Sequence, residues 1–202
     1  MTLSNLNEAE ITRRLAAALP ESQPPENKEL LFISPGELRP AAVLLPLMWV
    51  EGGWHLLFTR RTDSLAEHSG QVAFPGGRAD PQDSSIEQTA LREAQEEIGL
   101  NPADVSILGR LRQSITITHY LVTPVVSTIP WPYPLRLAYY EVGRAFSIPL
   151  DWLADPANRE QHLRTLSPDL PPVPVIYYQP YDGEVLWGAS ARFTINLLEA
   201  LK

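Results

Sequence analysis

Residues 76–100 read GGRADPQDSSIEQTALREAQEEIGL, and the interpretation of the whole chain starts from this stretch. Two glycines come first and predict a tight turn, because glycine lets the backbone approach a neighbour closely or adopt positive φ. Ser84 followed by Glu87 predicts the start of a helix through a capping box. Gly99 predicts that the helix ends in a left-handed residue. The order is therefore a glycine turn, a short acidic loop and a helix.

The predicted helix carries acidic side chains on one face. Glu93, Glu96 and Glu97 are spaced i, i+3 and i+4, so they share a stripe next to the apolar one. Like charges at these spacings destabilise a helix by about 0.2–0.5 kcal/mol per pair, and Arg92 is the nearest cation in the sequence. A solvated acidic surface fits this pattern, and so does an oxygen-ligand site for a hard divalent cation.

The same stretch resembles the Nudix box, which is written G-x5-E-x7-R-E-U-x-E-E-x-G-U with U aliphatic. Residues 92–100, REAQEEIGL, match its second half, with Ala94 as a small U. The first half departs, because Asp83 rather than glutamate is the sixth residue after Gly77 and lies one position too far from Arg92. The resemblance implies an α/β fold, a Nudix-type three-layer α/β/α sandwich around a mixed sheet.

A second signature lies upstream of the box. Residues 57–62 (LFTRRT), 68–71 (HSGQ) and 74–77 (FPGG) resemble the extra pattern of the coenzyme A pyrophosphatase branch of Nudix hydrolases. Phe58 stands where leucine is common in that branch, and Thr62 stands where serine or alanine is common. The resemblance covers about residues 40–200. It implies a metal-dependent pyrophosphohydrolase that cuts coenzyme A or its derivatives to 3′,5′-ADP and 4′-phosphopantetheine or its acyl form.

Candidate metal ligands lie on the helix and at the glycine pair. Glu93 and Glu97 are one turn apart and together suit one Mg²⁺ or Mn²⁺, while Glu96 suits a second ion or a bound water. The family resemblance implies that the carbonyl of Gly77 completes a shell. Hydrolysis then needs the phosphate charge neutralised and water activated, which divalent ions do.

Four residues are candidates for the catalytic step: Glu97, Glu96, Arg92 and Glu141. Arg92 is expected to orient a glutamate by a charge-assisted hydrogen bond. Glu97 and Glu141 both remain candidates for the general base, since the sequence alone does not separate them. For Glu141, a salt bridge to an arginine is the structural alternative.

Substrate contacts are expected from Arg60, Arg61, His68, Gln71 and Gly76. We predict the first four in a loop after a strand, where arginines grip phosphate in a bidentate way. Arg60 or Arg61 is the candidate for the 3′-phosphate of coenzyme A. Ordinary surface charge is the alternative for the arginines, and local hydrogen bonding is the alternative for His68.

Other segments predict the rest of the sandwich. Strands are predicted at residues 41–50, 54–59, 71–74, 105–111, 121–129 and 139–148, mixed helix and turn at 150–166, a hairpin of 173–179 with 184–187, and a final helix to Leu201. Residues 131–134, WPYP, predict a rigid aromatic loop that either stacks an adenine or packs on the surface.

Composition limits the function classes. The 202 residues carry 16 Lys and Arg against 24 Asp and Glu, so the net charge is −8. This balance argues against nucleic-acid and anionic-membrane partners. No cysteine is present, which excludes disulfides and thiolate sites. The absence of a signal-peptide pattern and of a long apolar run predicts a cytoplasmic location.

The domain organisation predicted is an N-terminal helical extension at residues 1–30, with Ile11 and Leu15 on its apolar face, and a Nudix hydrolase domain at residues 31–202. A small nucleotide is the expected partner, and the chain is expected to be a monomer or a homodimer. Two alternatives stay open. One is hydrolysis of another nucleoside diphosphate compound, such as ADP-ribose or a dinucleoside polyphosphate. The other is a catalytically silent nucleotide-binding module, against which the three retained glutamates argue.

Overall fold

The structure, a computed structural model, describes residues 3–18, 24–27, 38–62, 70–165 and 172–202. The helices are α1 (Glu8–Ala18), α2 (Ile86–Ile98), α3 (Leu150–Ala154) and α4 (Gly188–Ala200). The main sheet contains β1 (Arg39–Val50), β2 (Gly53–Arg61), β3 (Val72–Ala73), β4 (Gly76–Arg78), β5 (Ser106–Arg110), β6 (Ser114–Ile115), β7 (Tyr120–Thr128) and β8 (Val142–Pro149). A smaller sheet contains β9 (Arg159–Arg164) and β10 (Val173–Tyr178). None of the described helices is long and apolar enough to cross a membrane.

Strand β1 lies at the centre of the main sheet. It pairs in parallel with β7 and antiparallel with β2 and β4. Strand β2 also pairs with β3 and β8, and β7 also pairs with β5 and β6, all antiparallel. The combination of one parallel pair with antiparallel pairs makes the sheet mixed, as predicted.

Both faces of the main sheet are covered by helices. Side chains alternate along β1 because successive residues of a strand point to opposite faces. Ala42 and Leu44 pack with Ala94 of α2 in one core, whereas Leu45 and Leu47 belong to a second core with α1, α3 and α4. The predicted three-layer α/β/α sandwich is therefore confirmed.

The N-terminal helix packs on the body of the protein. Ile11 and Leu15 of α1 are buried in the second core, as their spacing predicted. Leu15 contacts the backbone of β5 at Gly109, where an added Cβ would come within 3.2 Å of its side chain. The predicted domain boundary near residue 30 lies outside the described residues and stays a prediction.

Two predictions around the candidate site are wrong. Arg60 and Arg61 lie in strand β2, not in a loop, because β2 continues along β8 through both residues. Gly76 and Gly77 lie in strand β4, not in a tight turn, and neither has positive φ. The glycines serve the close approach of two strands: a Cβ on Gly76 would lie 2.6 Å from Val43 Cα and still closer to the carbonyl oxygen of Ala42.

The C-terminal third also differs from the prediction. Residues 159–164 form β9, which pairs with β10, whereas the predicted pairing with residues 184–187 is present as an isolated bridge between Tyr177 and Trp187. Apart from the exposed Leu163, the side chains of β9 are polar and mostly exposed, so no apolar alternation marks it in the sequence. Strand β8 begins at Val142, so Tyr139, Tyr140 and Glu141 lie in the turn before it.

Replacing Gly76 by alanine should destabilise the fold by about 1–3 kcal/mol, because the new methyl group overlaps rigid backbone of β1. Gly53→Ala is the matched control, since a Cβ there meets nothing within 4 Å. Its effect should stay within about 0.5 kcal/mol. Urea unfolding of both variants measures the difference, and equal stabilities would contradict the close contact.

Candidate active site

Helix α2 begins one residue later than predicted. Ser85 is the N-cap, and its side chain accepts the backbone N–H of Gln88 at 3.2 Å. The side chain of Gln88 reaches back to the N–H of Ser84 at 2.7 Å. The predicted box from Ser84 to Glu87 is wrong, because two serines are adjacent and the Glu87 side chain instead bonds Arg110.

The end of α2 is fixed by the glycine that was predicted to end it. Gly99 has φ of 68° and donates its N–H to carbonyls of the last turn. Ala138 then donates its N–H to the carbonyl of Glu97 at 2.9 Å. This bond docks the loop before β8 on the helix end and so places Glu141 near the helix carboxylates.

The three helix glutamates have different surroundings. Glu97 is 5% exposed, and the side chain of Glu93 is 17% exposed. The side chain of Glu96 is 56% exposed and contacts Arg92 at 3.4 Å. Glu93 and Glu97 therefore face the interior of the site, whereas Glu96 lies at its outer rim.

Glu97 lies at the centre of a group of carboxylates. Its burial and the negative charges of Glu141 and Glu93 raise the pKa of the Glu97 carboxyl to about 8. The positive charge of Arg61 and a hydrogen bond from the backbone of Gly76 oppose that rise in pKa. A neutral or cation-bound Glu97 is thus favoured over a bare carboxylate.

Arg61 joins this group of carboxylates. Its Nη2 lies 3.1 Å from Glu141 Oε1, and the backbone carbonyl of Glu141 accepts the N–H of Thr62 at 3.0 Å. The Nε of Arg61 is buried and has no hydrogen-bond acceptor in the described part of the chain. The guanidinium therefore keeps one donor unused, beside the carboxylates.

Arg92 connects the acidic loop, β4 and the helix. Its Nε and Nη2 donate to the two oxygens of Asp83 at 3.0 and 3.1 Å, and its Nη1 donates to Glu93 at 2.8 Å. Its Nη2 also donates to the carbonyl of Arg78 at 2.9 Å. The predicted orienting contact from Arg92 to a glutamate is present, and Asp83 holds Arg92 in place.

Asp83, which departs from the glutamate of the Nudix box, has a side chain that is only 5% exposed. Hydrogen bonding to Arg92 lowers the pKa of the Asp83 carboxyl to about 2. Thr89 also donates its hydroxyl to this carboxylate at 2.8 Å. The spacing in the sequence does not predict this contact, because Asp83 lies one position farther from Arg92 than the box glutamate does.

Gly77 lies directly against Glu93. A Cβ on Gly77 would fall 2.6 Å from the carboxylate carbon of Glu93, so this carboxylate packs directly against the backbone of β4. The structure thus brings together the predicted ligands on α2 and the glycine on β4.

Other predicted substrate residues do not converge on one point. Arg60 follows the strand alternation to the opposite face, where its Nε lies 3.3 Å from Glu184. The backbone carbonyl of Gln71 accepts the N–H of Arg61 at 3.0 Å. A substrate contact from the Gln71 side chain stays a prediction. His68 lies outside the described residues.

The carboxylates fit a hard divalent cation in chemistry. Among the described residues, there is no preformed metal cluster of three or more His, Cys, Asp or Glu side chains. The donors are nonetheless all oxygen, and the repulsion that Glu93 and Glu141 exert on Glu97 is what a cation would relieve. Glu93, Glu97 and the Gly77 carbonyl are the residues that would hold Mg²⁺ or Mn²⁺.

Comparison with known proteins decides the family. The model of the NUDIX domain matches residues 37–164. The chain belongs to the Nudix family. The uncharacterised Nudix hydrolase NudL of Photorhabdus laumondii is 37% identical over 172 residues, covering 81% of this chain and 86% of that protein. NudL of Yersinia enterocolitica is 37% identical over 168 residues, covering 79% and 80% respectively.

Solved Nudix structures overlap with part of the chain. A crystal structure of a C. elegans Ap4A hydrolase binary complex is 20% identical, covers 56% of this chain and 82% of that chain, and has a TM-score of 0.47. The predicted membership of the Nudix family is thus confirmed by the NUDIX match and the NudL relatives. The substrate is not specified by the names of those relatives.

Gly77→Ala should leave the fold intact and impair metal binding. The clash is with the mobile end of Glu93, which can swing away, so stability should change by about 0.5 kcal/mol or less. The displaced carboxylate should weaken Mn²⁺ binding at least about tenfold, as is common for altered metal-site surroundings. Titration of Mn²⁺ followed by electron paramagnetic resonance measures this. Unchanged affinity would contradict the placement of Glu93 as a ligand.

Asp83→Asn should lower stability at neutral pH by about 1–3 kcal/mol, because Arg92 loses a charged partner. The folded pKa of Asp83, about 2, lies below its ordinary value. The contribution is therefore complete above pH about 4 and lost as pH falls toward 2. Urea unfolding at several pH values should show the gap between wild type and variant closing over that range.

Asp151→Asn, on the exposed surface of α3, is the control for simple charge removal. Its free energy of unfolding should stay close to that of wild type at every pH. A gap for Asp83→Asn that stays constant from neutral pH to pH 2 would contradict the ion pair as its cause.

Proposed function

We propose that this Nudix protein hydrolyses the diphosphate bond of a nucleotide compound with Mg²⁺ or Mn²⁺, and that coenzyme A or its derivatives are the substrate. One observation carries the reaction class: the buried Glu97 lies among Glu93, Glu141 and the backbone of the glycine pair. Carboxylates concentrated in this way favour a divalent cation and, through it, polyphosphate.

Each residue of the site has a distinct part in this proposal. Glu93, Glu97 and the Gly77 carbonyl hold the cation, and the exposed Glu96 suits a second ion or a water at the rim. When bound, the cation neutralises the diphosphate and lowers the pKa of water. Arg92, itself held by Asp83, keeps Glu93 in position through the 2.8 Å hydrogen bond.

Glu141 is the general base that this arrangement favours. Its side chain is 31% exposed and so is open to water, whereas Glu97 is buried and assigned to the cation. Arg61 holds the Glu141 carboxylate at 3.1 Å, and its guanidinium carries a positive charge beside the carboxylates. Glu141 would accept the proton of the attacking water, and Arg61 would contact the diphosphate.

Support for coenzyme A comes from the upstream signature, and the placement of Arg60 bears on it. Arg60 and Arg61 point to opposite faces of β2, so they do not grip one phosphate together. A 3′-phosphate would have to take the place of Glu184 at Arg60. This divergence favours ADP-ribose, which has no 3′-phosphate, as the second candidate substrate.

A cytoplasmic location, a monomeric or homodimeric state and the absence of nucleic-acid and membrane partners stay predictions from the sequence. The silent binding-module alternative predicts nucleotide binding without turnover. The retained carboxylate group around Glu97 argues against it.

Incubation with coenzyme A and Mn²⁺ should release 3′,5′-ADP, detected by chromatography, with ADP-ribose as the parallel substrate. Glu97→Gln should abolish metal-dependent release. Cleavage of ADP-ribose alone would keep the site and reject coenzyme A. Tight nucleotide binding with no turnover of either compound would reject the enzyme in favour of the binding module.

Glu141→Gln should separate the base from the ligands. We expect kcat to fall about 10²–10⁴-fold, the usual contribution of a general base, while Mn²⁺ affinity stays near that of wild type. Glu97→Gln should lose both activity and Mn²⁺ affinity. If Glu141→Gln keeps kcat and its pH profile, Glu141 is not the base.

A further inference from the structure

A second recess lies beside the site, at the edge of the main sheet. Its volume is about 560 Å³, within the range of about 300–1,000 Å³ that small-molecule pockets occupy. Trp131 and Leu135 border it from the loop before β8, Ser147 and Arg144 from β8 itself, and Tyr181 from the segment after β10. We call it the edge pocket.

The edge pocket and the carboxylate group share structural elements. Strand β8 carries Ala145 in the pocket, and three residues earlier Val142 pairs with Arg61. At about 3.4 Å per residue, these points are about 10 Å apart. The loop that carries Trp131 also provides Ala138, whose N–H bonds the carbonyl of Glu97. A ligand in the pocket can therefore extend to the metal helix.

Charge in the edge pocket disfavours phosphate. Arg144 is the cation of its wall, and its guanidinium pairs with both Asp182 and Glu184. Arg60 also pairs with Glu184, so two guanidinium groups and two carboxylates compensate one another here, and Arg144 attracts a further anion only weakly. Burial lowers the pKa of His55 and so disfavours a charged imidazole on the pocket wall. The pocket suits an uncharged part of a ligand.

Aromatic surface and hydrogen-bonding groups are both present. Trp131 is 40% exposed, and the ring of Tyr181 packs at 5.0 Å on Trp152. His55 Nδ1 lies 3.2 Å from the hydroxyl of Ser147 on the pocket wall. Within the described ranges β8 pairs with β2 alone, so its outer edge presents backbone donors and acceptors. Ring faces plus an edge of donors and acceptors are what a nucleobase binds.

We propose that the edge pocket binds the nucleobase of the substrate, with Trp131 stacked on the base and β8 and Ser147 facing its polar edge. The proposal rests on the proposed function in that the substrate is a nucleotide. It assigns a role to the aromatic loop at residues 131–134, for which base stacking and surface packing were both open. The diphosphate then extends along β8 toward Arg61.

The experiment compares two probes that differ only in the base: AMP and ribose 5-phosphate, titrated calorimetrically with Mg²⁺ present. Wild type should bind AMP more tightly. Trp131→Ala should weaken AMP roughly 5- to 150-fold, the equivalent of one lost base stack, and leave ribose 5-phosphate unchanged. Trp131→Phe, which keeps a ring, should retain most of the AMP affinity.

Trp49→Ala is the matched control, because Trp49 is 46% exposed and points to the opposite face of β1 from Met48, the partner of His55. It should change neither affinity. The proposal is overturned if Trp131→Ala weakens both probes equally, or neither, or weakens 4′-phosphopantetheine while sparing AMP. Binding of AMP needs no turnover, so this result is independent of whether coenzyme A is cleaved.

Discussion

The close approach of β4 to its neighbours is the constraint on which the site depends. Gly76 lies against β1 and Gly77 lies against the carboxylate of Glu93, in contacts that leave no space for a Cβ. The backbone of Gly76 can therefore hydrogen-bond to Glu97. A side chain at Gly76 would push β4 away from β1, and one at Gly77 would displace the Glu93 carboxylate.

Two arginines balance part of the acidic charge that this approach concentrates. Arg92 joins Asp83 to Glu93, and Arg61 holds Glu141. Neither arginine neutralises Glu97, whose pKa is raised to about 8. The remaining repulsion among the carboxylates lowers the stability of the cation-free protein. A cation that relieves this repulsion binds more tightly and stabilises the folded state. Packing in the two hydrophobic cores thus stabilises a fold that contains this locally unfavourable site.

Local patterns in the sequence predicted local structure well. The apolar period and Gly99 predicted α2, and the apolar run at residues 41–50 predicted β1. Long-range geometry was not predictable in this way. That Arg60 and Arg61 diverge follows from a strand that continues beyond its apolar part, and β9 has no apolar alternation because its side chains lie at the surface. The role of Asp83 depends on the folded loop bringing it to Arg92.

Glu93 and Glu97 are proposed to hold a divalent cation beside Gly77. Anomalous diffraction from crystals soaked in Mn²⁺ tests it most directly. A manganese peak is expected in contact with the carboxylates of both glutamates, and no such peak is expected in Glu97→Gln crystals under the same soak. A peak located elsewhere, or none at a Mn²⁺ concentration that supports turnover, would contradict it.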